Sequence, residues 1–137
     1  MLSLSFETVW VYDAGAPGIT IPVELSVGAL RATPDARIDT GSTFCVFQRE
    51  HGEALGFDIE TGVRELISTP MGSFTAFGHG VTLSVLGFQL DVTVYFAAHH
   101  GFTRNVLGRF GFMQQLNLGV VDYEGKLYLG RYGGEPS

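Results

Sequence analysis

One acidic residue stands out by its neighbours. In Ile38-Asp39-Thr40-Gly41-Ser42 an apolar residue precedes an acid, and a β-branched hydroxyl residue, a glycine and a second hydroxyl follow it. A carboxylate so placed is a candidate general acid or base. The triplet Asp39-Thr40-Gly41 taken alone also reads as a turn, in which the aspartate caps its own backbone and the glycine takes positive φ. The other reactive types offer less. His51, His79, His99 and His100 show no zinc-ligand spacing, and the adjacent His99 and His100 on an extended segment point to opposite faces. No metal and no cofactor is therefore expected. Gly-x-Ser-x-Gly is missing, as are the common phosphate loops. Cys45, the single cysteine, lies in Phe44-Cys45-Val46-Phe47, which reads as a buried apolar strand carrying an inert thiol.

The elements that must position these residues read as strands. Alternating or wholly apolar segments fall at 8–12, 19–27, 44–47, 82–86, 90–96, 120–122 and 127–129. Turn signals separate them: residues 13–18, Thr33-Pro34-Asp35, and Tyr123-Glu124-Gly125-Lys126, the last fitting a tight hairpin. Helix is expected only over 48–55, with Gly56 as its C′ residue, and for one turn over 112–116. The fold class is all-β. With 137 residues, 45% hydrophobic and 16% charged, the chain has the composition of one compact domain, residues 1–137. Its 19 glycines show no repeat and read as strand punctuation.

Charge narrows the partners. A net charge of −6 with scattered Lys and Arg argues against nucleic acid and against a membrane surface. Residues 1–12 lack the basic and apolar regions of a secretory signal, and no run approaches the roughly 20 apolar residues of a membrane span. Cytoplasmic residence is the expectation.

A second motif changes the weight of the first. Asn105-Val106-Leu107-Gly108-Arg109 follows the strand at 90–96 and precedes Phe110-Gly111-Phe112-Met113. Together with Ala36-Arg37-Ile38-Asp39-Thr40-Gly41-Ser42-Thr43 it resembles the signature of single-domain retropepsin-like aspartic proteases. That signature has an apolar residue before Asp-Thr-Gly-Ser/Ala and two apolar residues before Gly-Arg. The resemblance covers about residues 23–132, and residues 116–129 look like the last strands of bacterial members. It implies a small closed acid-protease β-barrel with one or two short helices, forming one half of a two-fold symmetric dimer.

The resemblance also implies an aspartic endopeptidase acting on peptide or protein substrates, with Asp39 catalytic in each copy of a homodimer. Thr40 would send its hydroxyl across the two-fold axis, Gly41 would offer an N–H to the carboxylate, and Ser42 would donate to its outer oxygen. Val106 and Leu107 would lie beneath the active-site loop, Gly108 would permit close packing, and Arg109 would be a buried or partly buried structural arginine. A hairpin around residues 66–80, with Thr69, Pro70, Met71, Gly72 and Ser73 at its tip, would be the flap. Two positions depart from the family. Thr43 stands where many retroviral members carry the acid that pairs with the arginine, and Phe110 replaces a polar or acidic residue. The alternative reading is a dimerisation or peptide-binding module of the same fold that does not cleave, since an extended peptide can be held by backbone hydrogen bonds alone.

Overall fold

Apolar residues at alternate positions put about half of the described residues into strands. The computed structural model describes residues 1–133, so the last four positions of the expected 1–137 domain lie outside it. The first strand, β1 (Thr8–Val11), is followed by a break in what reads as one apolar segment over 19–27. Pro22 has no N–H for a ladder. Accordingly β2 ends on it (Thr20–Pro22) and β3 starts afresh (Glu24–Val27), with different neighbours. Two short strands follow, β4 (Leu30–Ala32) and β5 (Asp35–Ile38); the expected turn Thr33-Pro34-Asp35 is instead a two-residue connection at Thr33 and Pro34, with Asp35 opening β5, and the two strands do not pair.

After β6 (Val46–Phe47) comes the one α-helix among the described residues, α1 (Arg49–Ala54), a residue shorter at each end than expected. Gly56 lies just past it at φ +84°, a left-handed stop that glycine supplies without strain. β7 (Val63–Thr69) and β8 (Gly72–Val85) form a long hairpin. β8 then turns through Leu86 and Gly87, both at positive φ, into β9 (Phe88–Ala97). Gly78 and Gly80 lie inside β8 and do not punctuate it. A Cβ on Gly78 would come within 2.8 Å of the Tyr95 ring on the paired strand, so this glycine admits an aromatic ring.

The chain closes with β10 (Val106–Leu107), a single 3₁₀ turn at Met113–Gln115, β11 (Leu116–Val121) and β12 (Lys126–Arg131). The expected strand at 120–122 stops at Val121, because Asp122 opens the hairpin turn that Gly125 completes at φ +65°.

The larger sheet runs in the order β2-β5-β10-β6-β9-β8-β3-β4, with β7 also on β8. The smaller is β1-β12-β11. Ile21 on β2 and Ala32 on β4, at opposite ends of the larger path, share one buried cluster with Phe47, Leu83, Phe96, Leu107 and Leu129. The sheet therefore curls around one core, to which the smaller sheet adds Leu127 and Leu129. Each large side chain buried there contributes on the order of 1.5–3 kcal/mol. Among the described residues no helix is long and apolar enough to cross a membrane.

The smaller sheet carries a measurable pH response. The Tyr12 hydroxyl donates to Asp122 Oδ1 at 2.6 Å, linking the end of β1 to the turn before β12. That hydrogen bond, with the carboxylate's charge, pushes the Tyr12 phenol up to about 12. A phenol raised in the folded state contributes stability that is whole below its unfolded value near 10 and is lost as pH rises through about 12. A tyrosinate absorbance titration should place Tyr12 among the late-titrating phenols, beside Tyr95, which burial also raises, and Asp122→Asn should return Tyr12 toward 10 while leaving Tyr95 late. An unchanged titration would mean that the contact is not made.

Candidate active site

The two motifs meet as neighbouring strands. β10 runs parallel to β5, Val106 beside Arg37 and Leu107 beside Ile38, and Val106 also pairs with Val46 on the other side. Asp39 is the first residue beyond β5, and its N–H still donates to Leu107 O at 3.0 Å. The carboxylate is thus set at the mouth of a central strand. Beyond it the loop closes by Ser42 N–H to Asp39 O (3.1 Å), Arg109 N–H to Ser42 O (2.9 Å) and Phe110 N–H to Thr43 O (2.8 Å). Gly108 lies where that loop crosses. A Cβ there would come within 2.7 Å of the Ser42 carbonyl oxygen and closer still to that of Phe44.

Asp39 and Thr40 are exposed. Asp39 Oδ1 accepts the Gly41 N–H at 2.9 Å, and the Thr40 hydroxyl has no partner within the described chain. Ser42 differs from the expectation: its hydroxyl donates to Phe44 O at 2.7 Å, two residues on, where it braces the loop and leaves the carboxylate alone. Arg109 differs as well. It is exposed, and its guanidinium lies 5.9 Å from the centre of the Phe110 ring with no ion pair among the described residues. The two departures in sequence account for this, since Thr43 offers no charge and Phe110 offers a ring face.

Beneath the loop, Cys45 is fully buried, accepting the Gly108 N–H at 3.4 Å and donating toward Phe110 O at 3.4 Å. Burial pushes its thiol up to about 11, against a smaller downward pull from the Gly108 N–H. Asn105, directly before β10, ties the loop's support to the helix: its side chain accepts the Gln48 N–H and donates to Gln48 Oε1, both at 3.0 Å.

A cleft of about 370 Å³ opens over Asp39. Leu66, Ser68 and Pro70 of the β7–β8 hairpin line it, with Phe44, Phe102 and Arg104. The hairpin is anchored where Phe74 packs on Phe102, ring centres 4.7 Å apart. Its tip, Pro70 and Met71 leading into Gly72 at φ +123°, stands clear, with Met71 93% exposed. Among the described residues Asp39 is the only acid lining the cleft and Arg104 the only cation. Arg104 carries no motif signal; its position two residues before Val106 is the clue. A hollow of about 500 Å³ elsewhere holds neither motif, and its acid, Asp91, is engaged by Thr82 Oγ1 at 2.8 Å.

His79 is hydrogen-bonded, His99 and His100 are exposed, and His51 is half-buried. His79 Nε2 hydrogen-bonds Ile59 O at 2.8 Å with its ring stacked on Phe57, and His100 sits beside Glu50 and Glu53. Among the described residues no three His, Cys, Asp or Glu side chains are grouped to hold a metal. One exposed carboxylate with one N–H donor can act as acid or base, but a single carboxyl group cannot hold both roles at once.

No protein-family model matches the sequence, and no curated protein matches it. Solved structures do. The chain is similar to the EIAV protease complexed with the inhibitor HBY-793, at 20% identity and a TM-score of 0.54 over 72% of this chain and 88% of that one. It is similar also to a retropepsin-like aspartic protease from Rickettsia conorii, at 16% identity and a TM-score of 0.59 over 80% and 89% of the two chains. The fold is that of the retropepsin-like aspartic proteases.

Proposed function

We propose that the chain is an aspartic-type endopeptidase that works as a homodimer, each copy supplying one Asp39. The observation that carries this reading is Asp39 itself, exposed on the floor of a cleft whose lining contains no second acid and whose other wall is a long hairpin. Amide hydrolysis without a metal needs one carboxylate to take a proton from water and one carboxylic acid to polarise the carbonyl and protonate the leaving nitrogen. A two-fold axis beside Asp39 provides both. Two carboxylates about 3 Å apart repel by roughly 5 kcal/mol at an effective dielectric near 20, so the pair holds one proton, as in aspartic proteases generally.

Further observations support pairing. Thr40 keeps its hydroxyl free of any partner among the described residues, as a cross-axis contact requires. The smaller sheet leaves both edge strands, β1 and β11, open, and exposes Val9, Val11 and Val121. An apolar sheet face with open edges is a surface that association covers. The hairpin would close over a bound peptide, with Thr69, Pro70, Met71, Gly72 and Ser73 at its moving end.

The non-catalytic reading has one observation in its favour. Among the described residues β7 pairs only with β8, which leaves its outer edge to add an extended peptide as a further strand. Purified protein incubated with a diverse peptide mixture from roughly pH 3 to 7, where carboxylates shed their protons, separates the two. Cleavage blocked by a statine-type inhibitor, together with a dimer in sedimentation, is the expected result. Absence of cleavage across that range overturns the peptidase reading.

A further inference from the structure

Arg104 stands at the junction of three openings. It lines the cleft over Asp39, a hollow of about 320 Å³ beside the hairpin tip, and one of about 300 Å³ toward Asp35 and Arg37. It is exposed, and it makes neither a hydrogen bond nor an ion pair with any described residue. Most other arginines are engaged. Arg31 meets Glu24, Arg49 meets Glu53 and Glu60, Arg131 meets Glu7, and Arg37 donates to Pro17 O. In a chain with 14 acidic residues and 8 Lys and Arg, a cation left unpaired at the working cleft is a charge for something else to meet.

An extended peptide lying across Asp39 presents alternate side chains to opposite walls. The wall that carries Arg104 also carries Phe102 and Val106, whose apolar surfaces suit the methylenes of a glutamate, while the guanidinium suits its carboxylate by paired N–H donors. Asp35, in the neighbouring hollow, forms no ion pair with Arg104 and does not neutralise it.

We propose that Arg104 makes this cleft select peptides bearing an acidic side chain beside the scissile bond. The inference rests on the peptidase reading for the word scissile, but the preference is one of binding and can be read without cleavage. The test uses end-blocked peptides, so that a terminal carboxylate cannot act as the ligand, in pairs differing by Glu or Gln at each position. Fluorescence anisotropy with the Asp39→Asn protein reads affinity, and kcat/KM with the unaltered protein reads cleavage. At one position Glu should be favoured over Gln roughly tenfold, the scale of one charge-assisted hydrogen-bonded pair, and the preference should shrink with added salt. Arg104→Glu should reverse it in favour of Lys. Cleavage that is indifferent to Glu or Gln overturns this proposal while leaving the peptidase reading intact. Binding preference without cleavage does the opposite. Equal binding of both peptides, binding of neither, or a preference untouched by Arg104→Glu overturns it.

Discussion

Asp39→Asn is expected to lower peptide cleavage by about a thousandfold or more, the loss that follows removal of a positioned acid–base group. Folding should be unaffected, for a reason visible in the loop. Asp39 is exposed, and the one partner its carboxylate has among the described residues, the Gly41 N–H, can be accepted equally well by an asparagine oxygen. What is lost is the ability to carry a negative charge and to exchange a proton. The decisive version mixes the two proteins. If each site needs a carboxylate from both copies, an equal mixture that has exchanged subunits keeps about a quarter of the activity, because only random pairs with two intact chains work. If each chain acts alone, half remains. A result near one half, or full activity of Asp39→Asn, removes the shared site.

The second large effect is on stability. Gly108→Ala places a methyl group within 2.7 Å of the Ser42 carbonyl oxygen and closer to that of Phe44, both backbone atoms that cannot swing aside. Relief requires the Asp39 loop to part from β10, breaking the hydrogen bonds from Arg109 N–H to Ser42 O and Phe110 N–H to Thr43 O. The expected cost is about 2–4 kcal/mol, read as a fall in melting temperature on the order of 10 °C. Gly80→Ala is the matched control. Gly80 is also a strand glycine, with no atom within 4 Å of its would-be Cβ and no positive φ, so it should tolerate alanine. Equal destabilisation of the two variants would show that the crossing at Gly108 is not tight.

Much of this was legible from residue order. The all-β class, the helix before Gly56, the turn at residues 123–125 and the adjacency of the two motifs all follow from local patterns or from the resemblance they carry. The parts that were not legible share physical causes. β4 and β5 are short, and each buries only one small residue, Ala32 and Ala36, with Ile38 half-buried at the end of β5, so they give a weak alternation signal. β8 runs for 14 residues through two glycines that look like breaks, and only the Tyr95 ring across the ladder explains one of them. Arg109 is exposed because the residues that would hold it inward are Thr43 and Phe110, and a guanidinium without an acid is costly to bury. Arg104 has no motif around it, and its importance comes entirely from the hollows that the folded chain assembles there.

The buried thiol beneath the Asp39 loop has a practical consequence. Cys45 is the chain's sole sulfhydryl, so a thiol-specific reagent has a single target, and that target is sealed by Gly108 and Phe110. With a thiol pushed up to about 11, attack requires the loop to lift first. The labelling rate therefore reports the opening frequency of the segment that presents Asp39, with no engineered probe. Association that clamps the loop would slow that rate as protein concentration rises, by the same mass action that makes an assembled protein harder to unfold.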